Sequence, residues 1–139
     1  MQTSFWIWLS VLLGLASFGL GTMISAYWGK GSVAVVFPAP VGLGEPVSTV
    51  NSEAASQFQQ GCDAYQAGQY RQATARFQTA LELDSDLAEA QHNLARATAN
   101  LRRVTEAIAE LVKASELYSR QGNGAMLAQL KQDLETLRR

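Results

Sequence analysis

The sequence repeats itself at a fixed offset of 34 residues. Two segments between Ala54 and Gln121 align on each other without a gap, and small or apolar residues recur at the same places. The recurring pairs are Gly61 with Ala95, Ala73 with Ala107, Phe77 with Leu111, and Ala80 with Ala114. A period of 34 with small residues at such positions is typical of helix-turn-helix repeats. Since one helical pair cannot bury its apolar face alone, neighbouring pairs are expected to stack.

This pattern resembles the tetratricopeptide repeat family. Tyr70 takes the aromatic place between the two helices of the first repeat, and the second repeat opens at Ala88. The sequence departs from the family pattern at Arg102, where a glycine often makes the turn between helices. The resemblance covers about half of the chain and implies an all-α fold of two stacked helix pairs.

The pattern predicts helices near 54–67, 70–84, 88–101 and 104–120. Asn51 and Ser52 are plausible caps for the first helix. A fifth helix is expected after Gly122-Asn123-Gly124, with leucines on one face and charged residues on the other. Those leucines are Leu127, Leu130, Leu134 and Leu137. The last helix resembles the terminal cap that a repeat array needs, so residues 53–139 are expected to form two helix pairs and a capping helix.

The first 29 residues carry no charged side chain, which is why charged residues make up only 17% of the chain. The apolar run from Phe5 to Trp28 would be about 36 Å long as a helix, enough to cross a hydrocarbon core of roughly 30 Å. Aromatic residues stand at both ends of the run, where amphipathic rings prefer to lie. A cleaved signal peptide fits poorly, because no Lys or Arg precedes the run. Residues 1–29 are therefore predicted to be a single transmembrane anchor.

A stripe of small residues follows one face of this predicted anchor helix. Its members are Ser10, Gly14, Ser17, Gly21 and Ser25. In lipid, such a stripe lets another helix come close, and chance is the equally weighted alternative. Lys30 is the only basic residue near the run. By the positive-inside rule it favours a cytoplasmic repeat domain in a single-pass membrane protein.

Residues 30–52 are interpreted as a linker, because this stretch holds all three prolines of the chain. Proline removes backbone donors and disfavours helix in the preceding residue. Within the linker, Val33 to Phe37 is a short apolar run prone to extended structure. Two placements are open for it: along the membrane surface, or docked on the helical domain. A second membrane span is excluded by length.

Composition and motifs exclude several function classes. A formal net charge of -1 implies no general attraction to nucleic acid. One cysteine and one histidine, Cys62 and His92, give no metal-ligand spacing. They supply no orienting third group for a thiol-imidazole nucleophile either. No glycine-rich phosphate loop is found. We therefore expect no enzyme activity, no metal and no cofactor.

The family resemblance implies a ligand groove lined by the first helix of each pair. The predicted partner-binding residues are Phe58, Cys62, Tyr65, Gln66, Glu89, His92, Arg96 and Asn100. Chaperone-binding relatives clamp a terminal carboxylate with a Lys and an Asn, but Phe58 and Cys62 occupy those places here. Arg96 is the candidate for holding a carboxylate, because its planar fork can bind one bidentately. The alternative is that Phe58 and Tyr65 simply pack against neighbouring repeats.

These features together predict a membrane-anchored adaptor that binds a protein partner or peptide segment beside a bilayer. Proteins of this kind resemble assembly factors for membrane complexes. The alternative function is a small structural accessory subunit of such a complex. Two repeats and a cap fall below the three repeats usually needed for stability, so self-association into a homo-oligomer is a further expectation.

Overall fold

A computed structural model describes residues 34–139 of the chain. In this part the fold is all-α, and its compact unit runs from Val35 to Arg139. Its helices are α1 Ser52–Gln66, α2 Tyr70–Leu83, α3 Ala88–Asn100, α4 Val104–Arg120 and α5 Gly124–Arg138. The prediction of an all-α fold with five helices beyond residue 50 is thereby confirmed. The predicted membrane anchor and its small-residue stripe lie outside the described residues. Within 34–139 no helix combines the length and apolarity that a membrane span requires.

The helix ends follow local capping chemistry. The side chain of Asn51 accepts hydrogen bonds from the backbone N–H groups of Glu53 and Ala54, so α1 begins at Ser52. Asn123 caps α5 in the same way by accepting from the N–H of Met126. Such caps satisfy backbone donors that have no partner inside the helix. The cap predicted at Asn51 is confirmed.

The turns inside the two hairpins repeat the 34-residue offset in backbone conformation. Gly68 after α1 has φ +74°, and Arg102 after α3 has φ +65°. Both turns close with a hydrogen bond back into the helix, from Gln69 N–H to Ala64 O at 2.9 Å and from Arg103 N–H to Thr98 O at 3.2 Å. A left-handed residue after the last helical turn is the usual way to satisfy these carbonyls. Arg102 therefore carries backbone strain at a place that favours glycine.

Replacing Arg102 with glycine is expected to stabilise the domain by about 0.5–1 kcal/mol. The left-handed conformation costs a side-chain-bearing residue more than glycine loses in unfolded-state entropy, and Arg102 is exposed. Urea denaturation followed by circular dichroism measures the change. The control is the opposite substitution at the equivalent turn of the first hairpin: Gly68→Ala should destabilise the domain by a similar amount. A loss of stability in Arg102→Gly would contradict this account of the turn.

Each helix contacts the next along the chain, and α1 also contacts α3. The close approach of α1 and α2 depends on Gly61. A Cβ added there would lie 2.5 Å from Cε1 of Phe77, whose side chain is fully buried. Every residue of the four repeated pairs is buried, so the period marks equivalent core positions in both hairpins.

The fifth helix covers the end of the second hairpin. Leu130 is buried, and Leu127, Leu134 and Leu137 are half-buried against the same cluster of α3 and α4 residues. The leucine face predicted for this helix is confirmed. One charged residue departs from the predicted solvent face: Asp133 is 3% exposed. It turns inward because two side chains of α3 bind its carboxylate.

Residues 34–51, which precede α1, form neither helix nor strand. They do not leave the helical unit. Phe37, Pro40 and Val41 are buried, and polar contacts join this stretch to α1 and α3. Of the two placements open for the apolar run ending at Phe37, its described end is docked on the helical domain.

Candidate binding groove

A polar stripe on α3 forms the floor of a groove between α1 and α3. Its members are Glu89, Asn93, Arg96 and Asn100, spaced 4, 3 and 4 apart, which places them on one helix face. The wall on the α1 side holds Phe58, Cys62 and Tyr65, all buried. The structure thus brings most of the predicted groove residues together. Gln66, at the end of α1, is exposed.

The groove is occupied by the chain's own residues 36–41, which we call the strap. At one end, the Asn100 side-chain oxygen accepts hydrogen bonds from the N–H groups of Val36 at 2.9 Å and Phe37 at 3.0 Å. Its amide nitrogen donates to the carbonyl of Phe37 at 2.9 Å. The hydroxyl of Tyr65 donates to the same carbonyl at 2.7 Å. The Asn100 side chain therefore binds two backbone N–H groups and one backbone carbonyl at this end of the strap.

Asn93 repeats this arrangement at the other end of the strap. Its side-chain oxygen accepts from the N–H of Val41 at 2.7 Å, and its amide nitrogen donates to the Val41 carbonyl at 2.9 Å. Within the strap, each amide group pairs with main-chain atoms alone, so it recognises no strap side chain; its other contact is to an α1 side chain, Tyr65 for Asn100 and Cys62 for Asn93. Because an unpaired buried amide is costly, both asparagines favour a peptide backbone in the groove.

Arg96 stands between the two asparagines and binds in three directions. One guanidinium nitrogen donates to the carbonyl of Ala39 at 2.9 Å. Two others hold the Asp133 carboxylate, Nε at 2.5 Å and Nη2 at 2.9 Å. The guanidinium carbon also lies 5.2 Å from the ring centroid of Phe37, within cation-π range. The bidentate carboxylate expected at Arg96 is present, but α5 of the same chain supplies it.

His92 shares this buried carboxylate. Its Nε2 lies 2.7 Å from Asp133 Oδ2, and its ring meets Tyr118 edge-on at 5.8 Å. Burial lowers the pKa of His92, and the nearby Arg96 charge adds to this against the opposing effect of Asp133. Burial alone would raise the pKa of Asp133, but hydrogen bonds from His92 and Arg96 outweigh it and hold that pKa below its usual range. The site at neutral pH is a neutral imidazole beside an ion pair.

The domain is expected to lose stability as the pH falls from 7.5 to 5.5. His92 binds a proton in the unfolded chain below about pH 6.5 but resists it when folded. Its contribution is therefore complete above pH 6.5 and declines below that value, by at most about 1.4 kcal/mol per pH unit. Urea titrations at several pH values measure it. His92→Gln should flatten the profile in this window, whereas a parent domain that gains stability on acidification would refute the assignment.

The chemistry of Cys62 is that of a buried core residue. Burial raises the pKa of its thiol to about 12, with Asp63 contributing to the same direction. Its sulfur lies 3.9 Å from the Asn93 amide nitrogen, while His92 is engaged with Asp133. A thiol in this state is a poor nucleophile. Within residues 34–139, no group of three acidic, histidine or cysteine side chains is placed to hold a metal ion.

Two residues of the candidate site were not identified from the sequence, Asn93 and Asp133. Asn93 completes the 4-3-4 polar spacing with Glu89 and Arg96, and that periodicity was available in the sequence. Asp133 gave no such signal, because it lies among other charged residues of α5 and 37 positions from its partner Arg96.

Phe58, one of the predicted groove residues, lies beside the turn that follows the strap: a Cβ on Gly42 would be 3.8 Å from its ring.

Neither the family models, nor the curated proteins, nor the solved structures with which the chain was compared contain a match to it.

Proposed function

We propose that this chain is a membrane-anchored adaptor of the tetratricopeptide-repeat type, which binds a protein segment in the groove between α1 and α3. The domain organisation proposed is an anchor in 1–29, a linker in 30–52 and a repeat domain in 53–139. No catalytic step is part of this proposal.

The main observation in support is the pair of asparagine amides that grip a peptide backbone. Asn93 and Asn100 each offer one acceptor and one donor to main-chain atoms of the strap. Such an arrangement suits an extended segment, since only an extended backbone leaves its N–H and C=O groups free to pair outside itself. The repeated burial at an offset of 34 supports the family resemblance.

The membrane part of the proposal rests on sequence. An uncharged run from Phe5 to Trp28 precedes the helical unit. We expect the full chain to stay with membranes through alkaline extraction, and a chain without residues 1–33 to be released. Release of the full chain under the same conditions would remove the anchor from the proposal. The cytoplasmic side for the repeat domain stays a prediction from Lys30.

The occupied groove favours one second candidate, a structural accessory subunit. In that case the strap would fill the groove permanently, and the domain would contact a membrane complex through its outer helices. An adaptor should be isolable by itself in mild detergent, whereas a stoichiometric subunit should co-purify with one complex.

A photo-cross-linking residue placed at two matched glutamines separates these functions. Gln66 lies at the end of α1 on the predicted groove face, while Gln78 lies on α2; both are exposed. The adaptor proposal expects a defined cross-linked partner from position 66 of the full-length membrane protein and none from position 78. Cross-links from position 78 alone would favour the accessory subunit, and their absence from both positions would contradict the adaptor.

A further inference from the structure

We infer that the strap is a built-in competitor for the groove, and that its own residue pattern describes the segment that the partner inserts there. This inference rests on the proposed function, because it names the partner chemistry and the regulation of the same groove.

The strap runs antiparallel to α3, and its backbone is closer to an extended chain than to a helix. Asn100 binds at Phe37, Arg96 at Ala39 and Asn93 at Val41, so strap position rises as α3 position falls. The two asparagines are seven positions apart, which corresponds to about 10.5 Å along the helix axis at 1.5 Å per residue. The strap covers that distance in four residues, about 2.6 Å each, closer to the 3.3–3.6 Å of extended chain than to a helix.

Backbone contacts decide where proline is allowed in the groove. The N–H groups of Val36, Phe37 and Val41 donate to asparagine oxygens, so proline is excluded at those three positions. Positions 38 and 40 are prolines already, and they give the segment a restricted, non-helical backbone. A partner segment can therefore carry proline at its third and fifth positions, as the strap does.

Side-chain burial sets the rest of the pattern. Phe37 is buried against Ala99 and Ala107 and under the guanidinium of Arg96, which favours an aromatic residue at the second position. Pro40 and Val41 are buried, whereas Pro38 and Ala39 are exposed. The first and second positions of the matching segment are therefore apolar and aromatic. The third and fourth positions are exposed and accept any side chain, the fifth is proline or a small apolar residue, and the sixth is apolar. It carries no buried charge, because Asp133 already satisfies Arg96.

The strap can leave without dismantling the helical core. The largest hydrophobic clusters are built from residues of α1 to α5 and the turn before α3, with Val47 at their edge. Phe37 belongs to a separate small cluster with Ala99 and Ala107. Between the strap and α1, the half-buried Gly42 and the exposed Gly44 adopt left-handed conformations. A joint of this kind lets the strap move as a unit.

The covalent link makes the strap a strong competitor. A segment joined by about ten residues acts at an effective concentration in the millimolar range. An external segment of equal intrinsic affinity therefore binds the parent chain poorly. It binds well when the strap is released, or when the partner is itself concentrated at the same bilayer.

The test uses a fluorescent peptide of residues 32–43 and the full-length chain in detergent micelles, with binding read by anisotropy. A strap-released variant carries Phe37→Ala and Val41→Pro, which remove the buried ring and the N–H held by Asn93. The peptide should bind this variant at least tenfold more tightly than the parent. Asn93→Leu in the released variant should abolish binding, and so should a peptide with N-methylvaline at position 41.

Two results would overturn the inference: equal peptide affinity for parent and released variant, or no binding to a released variant whose helical circular-dichroism signal is intact. If that variant fails to fold, a protease site placed in the exposed turn at 43–45 separates strap from domain without touching the groove, and the same criteria apply to the cleaved protein. The peptide assay requires no cellular partner. Its failure is therefore distinguishable from failure of the cross-linking experiment, which tests the adaptor function directly.

Discussion

Replacing Arg96 with alanine is expected to destabilise the helical domain by about 3–5 kcal/mol, the usual cost of removing one partner of a buried ion pair. The substitution leaves the Asp133 carboxylate, 3% exposed, with His92 at 2.7 Å and the Gln129 amide at 3.5 Å as its remaining partners. It also frees the Ala39 carbonyl and uncovers the Phe37 ring. Urea denaturation of the full-length chain in detergent, followed by circular dichroism, measures the loss.

The matched control is the double variant Arg96→Met with Asp133→Leu. Apolar residues of similar volume often replace a buried ion pair at little cost, so the double variant should regain most of the stability that Arg96→Ala loses. If the free energy of unfolding of Arg96→Ala is instead within 1 kcal/mol of the parent value, the Arg96–Asp133 pair does not hold α5 on α3 in the way described.

Replacing Phe77 with alanine is expected to cost about 3–5 kcal/mol, the range for truncating a large buried aromatic residue. The Phe77 ring is fully buried, lies across from Gly61, and is tilted against Phe58 at a centroid distance of 5.8 Å. Its removal opens a cavity where α1 and α2 pack together at Gly61. Thermal and urea denaturation both report the change.

A second substitution at the same contact supplies the control. Gly61→Ala places a methyl group 2.5 Å from the Phe77 ring and should cost about 1–3 kcal/mol by overpacking. In the Phe77→Leu background the same methyl group should cost less, because the smaller side chain leaves room. Additive effects of the two substitutions would show that residues 61 and 77 are not in contact, contrary to the packing described.

The sequence predicts the helical domain well because its fold is governed by short-range rules. Small residues repeated at 34, an asparagine before the first helix and a glycine-rich turn before the last each specify local structure. Helix bounds follow the prediction within about two residues, and Leu130 is buried as its leucine pattern requires.

The contents of the groove could not be predicted from the same rules. Docking of Phe37 depends on Asn100, which is 63 positions away, and no local pattern links the two. Prolines at 38 and 40 exclude helix but do not say where an extended segment lies. The burial of Asp133 could not be predicted for a similar reason, since one acidic residue among several on a helix gives no sign that it faces inward.

Hydrogen exchange of the strap amides in the full-length chain tests the central claim most directly, namely that residues 36–41 occupy the groove under the control of Asn93 and Asn100. The N–H groups of Phe37 and Val41 are expected to be protected, and those of Leu43 and Gly44 in the exposed turn to exchange at the rate of free peptide. Asn93→Ala should remove protection at Val41 while the core of α3 stays protected. Exchange of Phe37 and Val41 at the unprotected rate in the parent chain would contradict the account.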